Sequence, residues 1–390
     1  MGGYKPLCMK TTKASEKRKR VWPKIVTSEA VYKRCLALRK ELKHKSWSSM
    51  FKELSLEVLD ANNGDVMINA ATGMNYLAIW IKNISANFEV LMKPEIKDVV
   101  ALRDKLKGRR AVVVGGGPSV EKNRHLKVLS DYINADPKPS DPLDELAIIT
   151  TDRMLIPCLK AGLLPSLVVS VDGSDKIVKF FDDPEVRNLA SEMMFAPCVM
   201  TNPEILNALY QNRGQLYVGI PFLPSDSLPN VQEVVYKLLR ERFSVMANGG
   251  NCGTYAWLLA NLAGCSEVAL IGFDMGYPRD TRIWDTQYMP HFDKHFEGDM
   301  KKIEKCYMKV RHPCWGKGFY AFTDAVFEGY ARNTLEFVRN CTSGMKTYNC
   351  TEGGALCAEI YKPTKGKGVM KCITLKEFLE RKPAAAKPAS

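Results

Sequence analysis

The chain has no long uninterrupted hydrophobic run. Its most apolar stretch, Tyr255 to Phe273, is broken by Asn261, Gly264, Ser266 and Glu267, and reads as a buried helix followed by a buried strand rather than a membrane span. Residues 1–27 are basic and hold no apolar segment of signal-peptide length. The twelve cysteines are scattered, with no Cys-x-x-Cys pair. That pattern argues against metal ligation and disulfides and for reduced core thiols, Cys252, Cys265 and Cys357 among them. These absences predict a cytoplasmic protein of a reducing compartment. No internal repeat is present. Histidine is scarce, with five in 390 residues, so each one is weighed.

With 46% hydrophobic and 25% charged residues, the chain has the makings of a full globular core. The net charge of +13 is unevenly placed: residues 1–46 carry +11 and residues 362–390 carry +6, leaving the body at −4. The positive field therefore belongs to the two ends, which suit an anionic surface, a membrane or nucleic acid by general electrostatics. The division expected is a basic mobile arm over 1–27, an α-helical N-terminal unit over 28–108, an α/β domain over 109–361 and a basic tail over 362–390.

Helical patterns run from Ser28 to about Lys45, from about Met50 to Leu59, and over 72–108. The period then changes. Arg110 to Val114, Leu146 to Thr150, Leu167 to Val171, Phe195 to Met200, Gln215 to Ile220 and Val268 to Phe273 are short, continuously apolar strands. Helices at Met154 to Ala161, Pro203 to Gln211 and Thr254 to Ala263 fall between them. Alternation of this kind predicts a Rossmann-like, doubly wound, mostly parallel sheet covered on both faces. Residues 278–330, rich in aromatics and charges, are expected to form a lid or acceptor-binding insertion.

In such sheets ligands sit beyond the carboxyl ends of the strands, so the residues that end strands are the candidates. The first strand ends in Gly115, Gly116, Gly117, Pro118 and Ser119. Glycines let backbone N–H groups approach an anion closely, and the next helix adds its positive end. The turn is neither a P-loop, lacking the Lys-Ser/Thr pair, nor the dinucleotide fingerprint. Three strands end in acid, at Asp152, Asp172 and Asp274. Carboxylates there suit a ribose hydroxyl, Mg²⁺ beside phosphates, or proton transfer; a helix cap is the plainer role for Asp152. A second glycine-rich turn, Asn248, Gly249, Gly250, Asn251, Cys252, Gly253 and Thr254, opens a helix and can read a base or sugar. A third, Tyr348 to Gly354, includes Thr351, Glu352 and Gly353.

His44 and His125 read as surface and structural residues. His291, His295 and His312 cluster in the aromatic insertion. His291 or His295 is the candidate base for a substrate hydroxyl. The two could also share a helix face around a metal, but no third ligand at a recognised spacing follows.

The segment from about Asn83 to Ile360 resembles the MptE-like superfamily and, within it, the Maf motility-associated factors that glycosylate flagellin. The resemblance rests on Gly115 to Ser119, the Asp152 turn, Leu164 to Asp172, the run Leu270 to Tyr277 with Asp274, and Asn349 to Gly354. Bacterial sialyltransferases carry a similar Gly-x-Gly-Pro-Ser turn. The resemblance implies a CMP-activated nonulosonic acid as donor and a protein Ser/Thr or glycan hydroxyl as acceptor. The MptE branch implies instead pyrophosphate transfer from ATP to 6-hydroxymethyl-7,8-dihydropterin with Mg²⁺, held by Asp172 and Asp274. That branch's His-rich stretch is missing near Asn248 to Gly253, and Pro278 to Arg282 replaces the usual acidic-polar continuation after Asp274. The reading is thus a nucleotide-dependent transferase, a glycosyltransferase before a diphosphokinase, with a non-enzymatic nucleotide- or nucleic-acid-binding module as the third possibility.

Overall fold

The computed structural model describes residues 79–135, 146–222, 239–312, 314–315, 320–357 and 370–381. The basic arm, His44 and the two helices expected over 28–59 lie outside the described residues, as do residues 382–390. A helix over 79–91 (α1) leads to β1 (Lys97–Asp98), β2 (Arg110–Val114), α2 (Ser119–Lys122), α3 (His125–Ile133), β3 (Ala147–Thr151), α4 (Leu155–Lys160), β4 (Leu167–Ser170), α5 (Pro184–Leu189), β5 (Met194–Pro197), α6 (Pro203–Gln211), β6 (Gln215–Val218), β7 (Ile220–Pro221), β8 (Val245–Met246), α7 (Cys252–Leu262) and β9 (Glu267–Ile271). The rest comprises α8 (Met289–Phe296), α9 (Met300–Glu304), β10 (Tyr307–Arg311), β11 (Tyr320–Asp324), α10 (Ala325–Arg339), β12 (Lys346–Asn349), β13 (Lys371–Cys372) and α11 (Leu375–Glu380).

Nine strands form one sheet in the order β1-β6-β5-β4-β3-β2-β9-β12-β13, and every pairing in it is parallel. The doubly wound expectation is met. Successive side chains of a strand point to opposite faces, and β2 obeys: Ala111 and Val113 join one apolar cluster, Val112 and Val114 the other. Both faces are covered, which is why the strands read as unbroken apolar runs rather than alternating ones. Helix α7 is apolar all round because it is buried. Tyr255, Ala256, Trp257, Leu259 and Ala260 are all inside, and the Trp257 indole N–H finds Thr347 Oγ1 at 2.9 Å. None of the described helices is long and apolar enough to cross a membrane.

Two expectations change. Of the helicity expected over 72–108, residues 72–78 lie outside the described residues, 79–91 are α-helical, and beyond them β1 pairs with β6 and extends the sheet before a short 3-10 turn at Val99–Leu102. Asn83 and Asn87, one turn apart on the buried side of α1, donate to the carbonyls of Gly173, Met200, Val199 and Thr201. These bonds fasten α1 to the loops that follow β4 and β5.

The tail expected over 362–390 is interrupted by ordered structure. Thr374 and Glu377 form a reciprocal capping box, and Leu375, Phe378 and Leu379 are buried against the sheet. Phe378 receives the Arg110 guanidinium on its ring at 4.4 Å, and its carbonyl accepts from Arg110 Nη2. Residues 278–330 form α8, α9 and an antiparallel β10–β11 pair around a small cluster of Met289, Phe292, Ile303 and Val326.

Because Phe378 is fully buried and holds a buried arginine, Phe378→Ala should destabilise the fold by about 3–5 kcal/mol, read from urea unfolding; a loss below about 1 kcal/mol would mean that α11 is not part of the core.

Candidate functional site

The chain leaves β2 on one side, through β3, β4, β5 and β6, and returns on the other with β9. The order therefore reverses between β2 and β9, where the two βα turns diverge and a crevice opens beyond the strand ends. A cleft of about 1070 Å³ lies there. Gly115 to Pro118, Thr151 to Met154, Asn251 to Gly253 and Gly272 to Pro278 form one part of its lining, and Tyr288, Phe327 and Tyr330 another.

Gly115 and Gly272 touch backbone to backbone at the base of the crevice. A Cβ on Gly272, whose φ is +69°, would lie 2.2 Å from the Gly115 carbonyl oxygen, and one on Gly115 would lie 2.7 Å from that of Gly272. Neither position tolerates a side chain. At Gly116 a Cβ would meet the Arg153 side chain at 2.8 Å, so this glycine makes room for an arginine that lies across it.

The amides of the glycine turn are mostly occupied from within, which corrects the expected backbone cradle. Gly115 N–H donates to Ile271 O at 2.8 Å and Gly117 N–H to Gly272 O at 2.9 Å. Ser119 donates both its N–H, at 3.3 Å, and its hydroxyl, at 2.6 Å, to the Asp274 carboxylate. Only the Gly116 N–H lacks a protein acceptor among the described amides of Gly115 to Gly117. Asp274 thus caps α2 and locks the glycine turn to the end of β9. Burial raises its pKa, and the Ser119 donors oppose the rise.

Asp152 also lines the cleft. It is buried, accepts the Ser170 hydroxyl at 2.8 Å and the Arg153 N–H at 2.7 Å, and starts a short 3-10 turn. Burial pushes its carboxyl up to about 6, against those two hydrogen bonds, with the charge of Asp172 adding to the rise. Asp172 is exposed, binds the N–H and hydroxyl of Ser174, and is not among the cleft lining. Asp172 and Asp274 follow β4 and β9, with β3 and β2 between. Their strands lie three spacings, about 14 Å, apart, and of the two only Asp274 lines the cleft.

The second turn carries the open backbone donors instead. Gly249 and Gly250 take φ of +65° and +82°, a conformation that costs glycine little. They deliver Asn251, whose side chain accepts the Thr254 N–H at 2.8 Å and caps α7. The Thr254 hydroxyl is engaged by Asn251 Nδ2 and Thr334, and Asn248 Oδ1 accepts the Gly250 N–H. Asn248, Gly249, Gly250 and Thr254 therefore shape the turn, while Asn251, Cys252 and Gly253 reach the cleft. The first-turn N–H groups of Cys252 and Gly253 sit at the positive end of an 11-residue helix. Burial, then the Asp152 charge, raises the Cys252 pKa well above the usual thiol value. Arg124, Lys127 and Arg153 add positive charge to the lining.

The far wall is aromatic. Tyr277 packs on Phe327 at 5.1 Å, Tyr288 on Phe327 at 5.4 Å, and Phe327 on Tyr330 at 6.3 Å. Tyr277 donates to Asp324 at 2.7 Å. Burial raises the pKa of Tyr277 and Tyr288, so both phenols keep their protons. The structure does not bring His291 and His295, the expected bases, to the cleft. On α8, Met289 and Phe292 face inward, both histidines are exposed, and neither lines the cleft. His125 is buried against Glu352 at 3.3 Å, as a structural residue should be.

The third turn backs the first rather than opening to ligand. Thr351 accepts the Phe273 N–H at 3.3 Å. Glu352 joins His125 to the Leu375 N–H. A Cβ on Gly353 would stand 3.7 Å from Ser119 and 3.9 Å from Asp274.

A parallel sheet with a cleft at its switch point, flanked by two glycine turns and a helix N-terminus, defines a Rossmann-like α/β fold. The family model described as 6-hydroxymethylpterin diphosphokinase MptE-like matches residues 82–280, half of the chain, and the chain belongs to the MptE-like family. No curated protein matches it. Among solved structures, the Maf glycosyltransferase from Magnetospirillum magneticum AMB-1 is similar at 13% identity and a TM-score of 0.43, over 72% of this chain and 37% of that one. This chain thus spans little more than a third of that protein.

Two outcomes follow from the geometry. Gly272→Ala must push a methyl group into the Gly115 carbonyl, so it should abolish soluble folded protein or lower the melting temperature sharply. Gly353→Ala, which meets only ordinary contact distances, should change it little; equal effects of the two would contradict the backbone contact.

Between about pH 4 and pH 6 the folded protein keeps a proton on Asp152 that the unfolded chain releases. This contribution to stability is complete below about pH 4 and is lost as the pH rises through 6. Unfolding free energy of Asp152→Asn minus wild type should therefore rise across that window by on the order of 3 kcal/mol, and a flat difference would show an ordinary carboxyl.

Proposed function

We propose that the switch-point cleft binds a nucleotide-activated donor and that the protein transfers a group, of the glycosyl kind, from it to a hydroxyl acceptor, with Asp152 as general base. The observation that carries this reading is the buried Asp152 carboxyl at the cleft, whose pKa near 6 suits removal of a proton from a hydroxyl at neutral pH. Negative charge grows on the departing nucleotide phosphate. The Cys252 and Gly253 amides, the Gly116 N–H and the side chains of Arg124, Lys127 and Arg153 are the groups that would stabilise it. The aromatic wall of Tyr277, Tyr288, Phe327 and Tyr330 offers flat faces for a base. A CMP-activated sugar is the donor class favoured by the motif resemblance, with a Ser, Thr or glycan hydroxyl as acceptor. No step is routed through Mg²⁺: of Asp172 and Asp274, only Asp274 lines the cleft.

A second reading is a diphosphokinase moving pyrophosphate from ATP to a pterin alcohol. The family description names that activity, and the same aromatic wall suits a flat pterin.

A thermal-shift series with CMP, UMP, GDP and ATP, each with and without Mg²⁺, separates the two. Stabilisation by CMP without metal supports glycosyl transfer; stabilisation by ATP only with Mg²⁺ replaces it with the second reading. Asp152→Asn should keep the nucleotide-induced shift while turnover falls by about 10²–10⁴-fold, and full turnover in that variant removes Asp152 from the mechanism.

A further inference from the structure

Away from the cleft, three chain segments converge at the β13 edge of the sheet. His312 and Cys314 follow β10, Cys357 ends the turn after β12, and Cys372 lies on β13 itself. A ring nitrogen of His312 and the sulfurs of Cys314 and Cys357 all lie within 4.8 Å of one another. Cys372 stands beside them, close enough for Cys357 and Cys314 both to act on its thiol. None of the described cysteines is in a disulfide.

We propose that His312, Cys314, Cys357 and Cys372 are the four ligands of a structural Zn²⁺ site that fastens the 278–330 insertion to the edge of the sheet. Three sulfurs and one imidazole are a donor set of structural zinc centres, tetrahedral with Zn–S near 2.3 Å. Two sulfurs at that distance from one centre, at the tetrahedral angle, lie about 3.8 Å apart; Cys314 and Cys357 are 3.9 Å apart. A disulfide between any two of these cysteines would leave the third sulfur and the imidazole facing it. Soft thiolates with imidazole select zinc over the hard cations that prefer oxygen.

The surroundings orient the histidine as a ligand. The Leu356 carbonyl lies 3.3 Å from His312 Nε2 and also accepts the Asn349 amide at 2.6 Å. With the proton on Nε2 donated to that carbonyl, Nδ1 carries the lone pair, which is how the second nitrogen of a metal-bound histidine is usually held. In the structure the Cys314 N–H donates to Nδ1 at 3.2 Å, a contact that metal would replace. Trp315 stacks on the other side of the ring at 5.5 Å. On binding, the three thiols release their protons to solvent and the sulfurs become thiolates.

Elemental analysis of the full chain, purified reduced and without chelator, should find about one zinc per chain. Cys357→Ser and Cys372→Ser should each lose most of it, while Cys306→Ser and Cys341→Ser keep it. Should a variant fail to fold, the wild type still decides. Titration with an organomercurial should release zinc to a chromogenic chelator as about three thiols react, and Co²⁺ added to the stripped protein should give the intense visible bands of a tetrahedral thiolate complex. Wild-type protein that carries no metal and develops no such bands overturns the proposal. So does zinc retained in both ligand variants, or a Cys314–Cys357 disulfide found by mass under non-reducing conditions. None of these readouts depends on catalytic activity, so the site stands or falls separately from the transfer reaction.

Discussion

The contact on which the functional half of this molecule depends is one of backbone against backbone. Where β2 and β9 end side by side, Gly115 and Gly272 approach so closely that no side chain fits on either. The Asp274 carboxylate then bridges to Ser119. The βα turn after β2 and the loop after β9 leave the sheet in different directions, and this junction fixes the angle between them. The third turn reinforces it from behind: Ala355 N–H donates to Asp274 O at 2.6 Å, and Gly354, at a φ of +69°, leaves no room for a side chain, since a Cβ there would lie 2.2 Å from that same oxygen. Three glycine-rich segments far apart in sequence thus build one rigid corner.

That corner redistributes the roles expected of its parts. A carboxylate at a strand end can bind a ligand or hold the protein together, and the hydrogen-bond partners decide which. Asp274 is taken up by Ser119 and Asp172 by Ser174. Asp152 and Asp274 both line the cleft and both have their pKa raised by burial, but Asp274 is committed to the junction between β2 and β9 while Asp152 is not. The open backbone donors lie likewise not in the first glycine turn, whose amides are mostly used internally, but at the N-terminus of α7.

Much of this was legible in the sequence. The continuous apolar strands and the intervening helices were readable because both faces of the sheet are buried, and Pro203–Gln211 matches its expected bounds. The placement of the acids and glycines at strand ends was readable for the same reason. Which strand lies beside which was not, and that adjacency makes Asp274 a partner of Ser119, 155 residues away. The histidines misled because their chemistry was weighed before the helix face: Met289 and Phe292, three apart, already assign the inward side of α8 and leave His291 and His295 outside. Residues 370–381 were hidden by the lysine- and proline-rich context, although Thr374, Glu377 and the Leu375, Phe378, Leu379 stripe carry a capping box and an apolar face. The convergence of His312, Cys314, Cys357 and Cys372 has no local spacing signature at all, since it is assembled from three segments by the fold.

The two walls of the cleft rest on unequal foundations. One is the rim of a nine-stranded sheet with a continuous core on each face. The other comes from the insertion, whose own apolar cluster holds four buried residues. Phe327 and Tyr330 nevertheless pack against the main core, beside Ala331 and Leu335 of α10. Polar links add to this: the Tyr277–Phe322 bridge, the Thr323 hydroxyl on Met275 O at 2.8 Å, and the Tyr277 hydroxyl on Asp324. Among the described residues, the end of β10 has no such anchorage to the core through α10. A tie between it and the β13 edge would hold that outer end of the insertion against the sheet, which is the mechanical sense of a cross-link at that edge and not in the core.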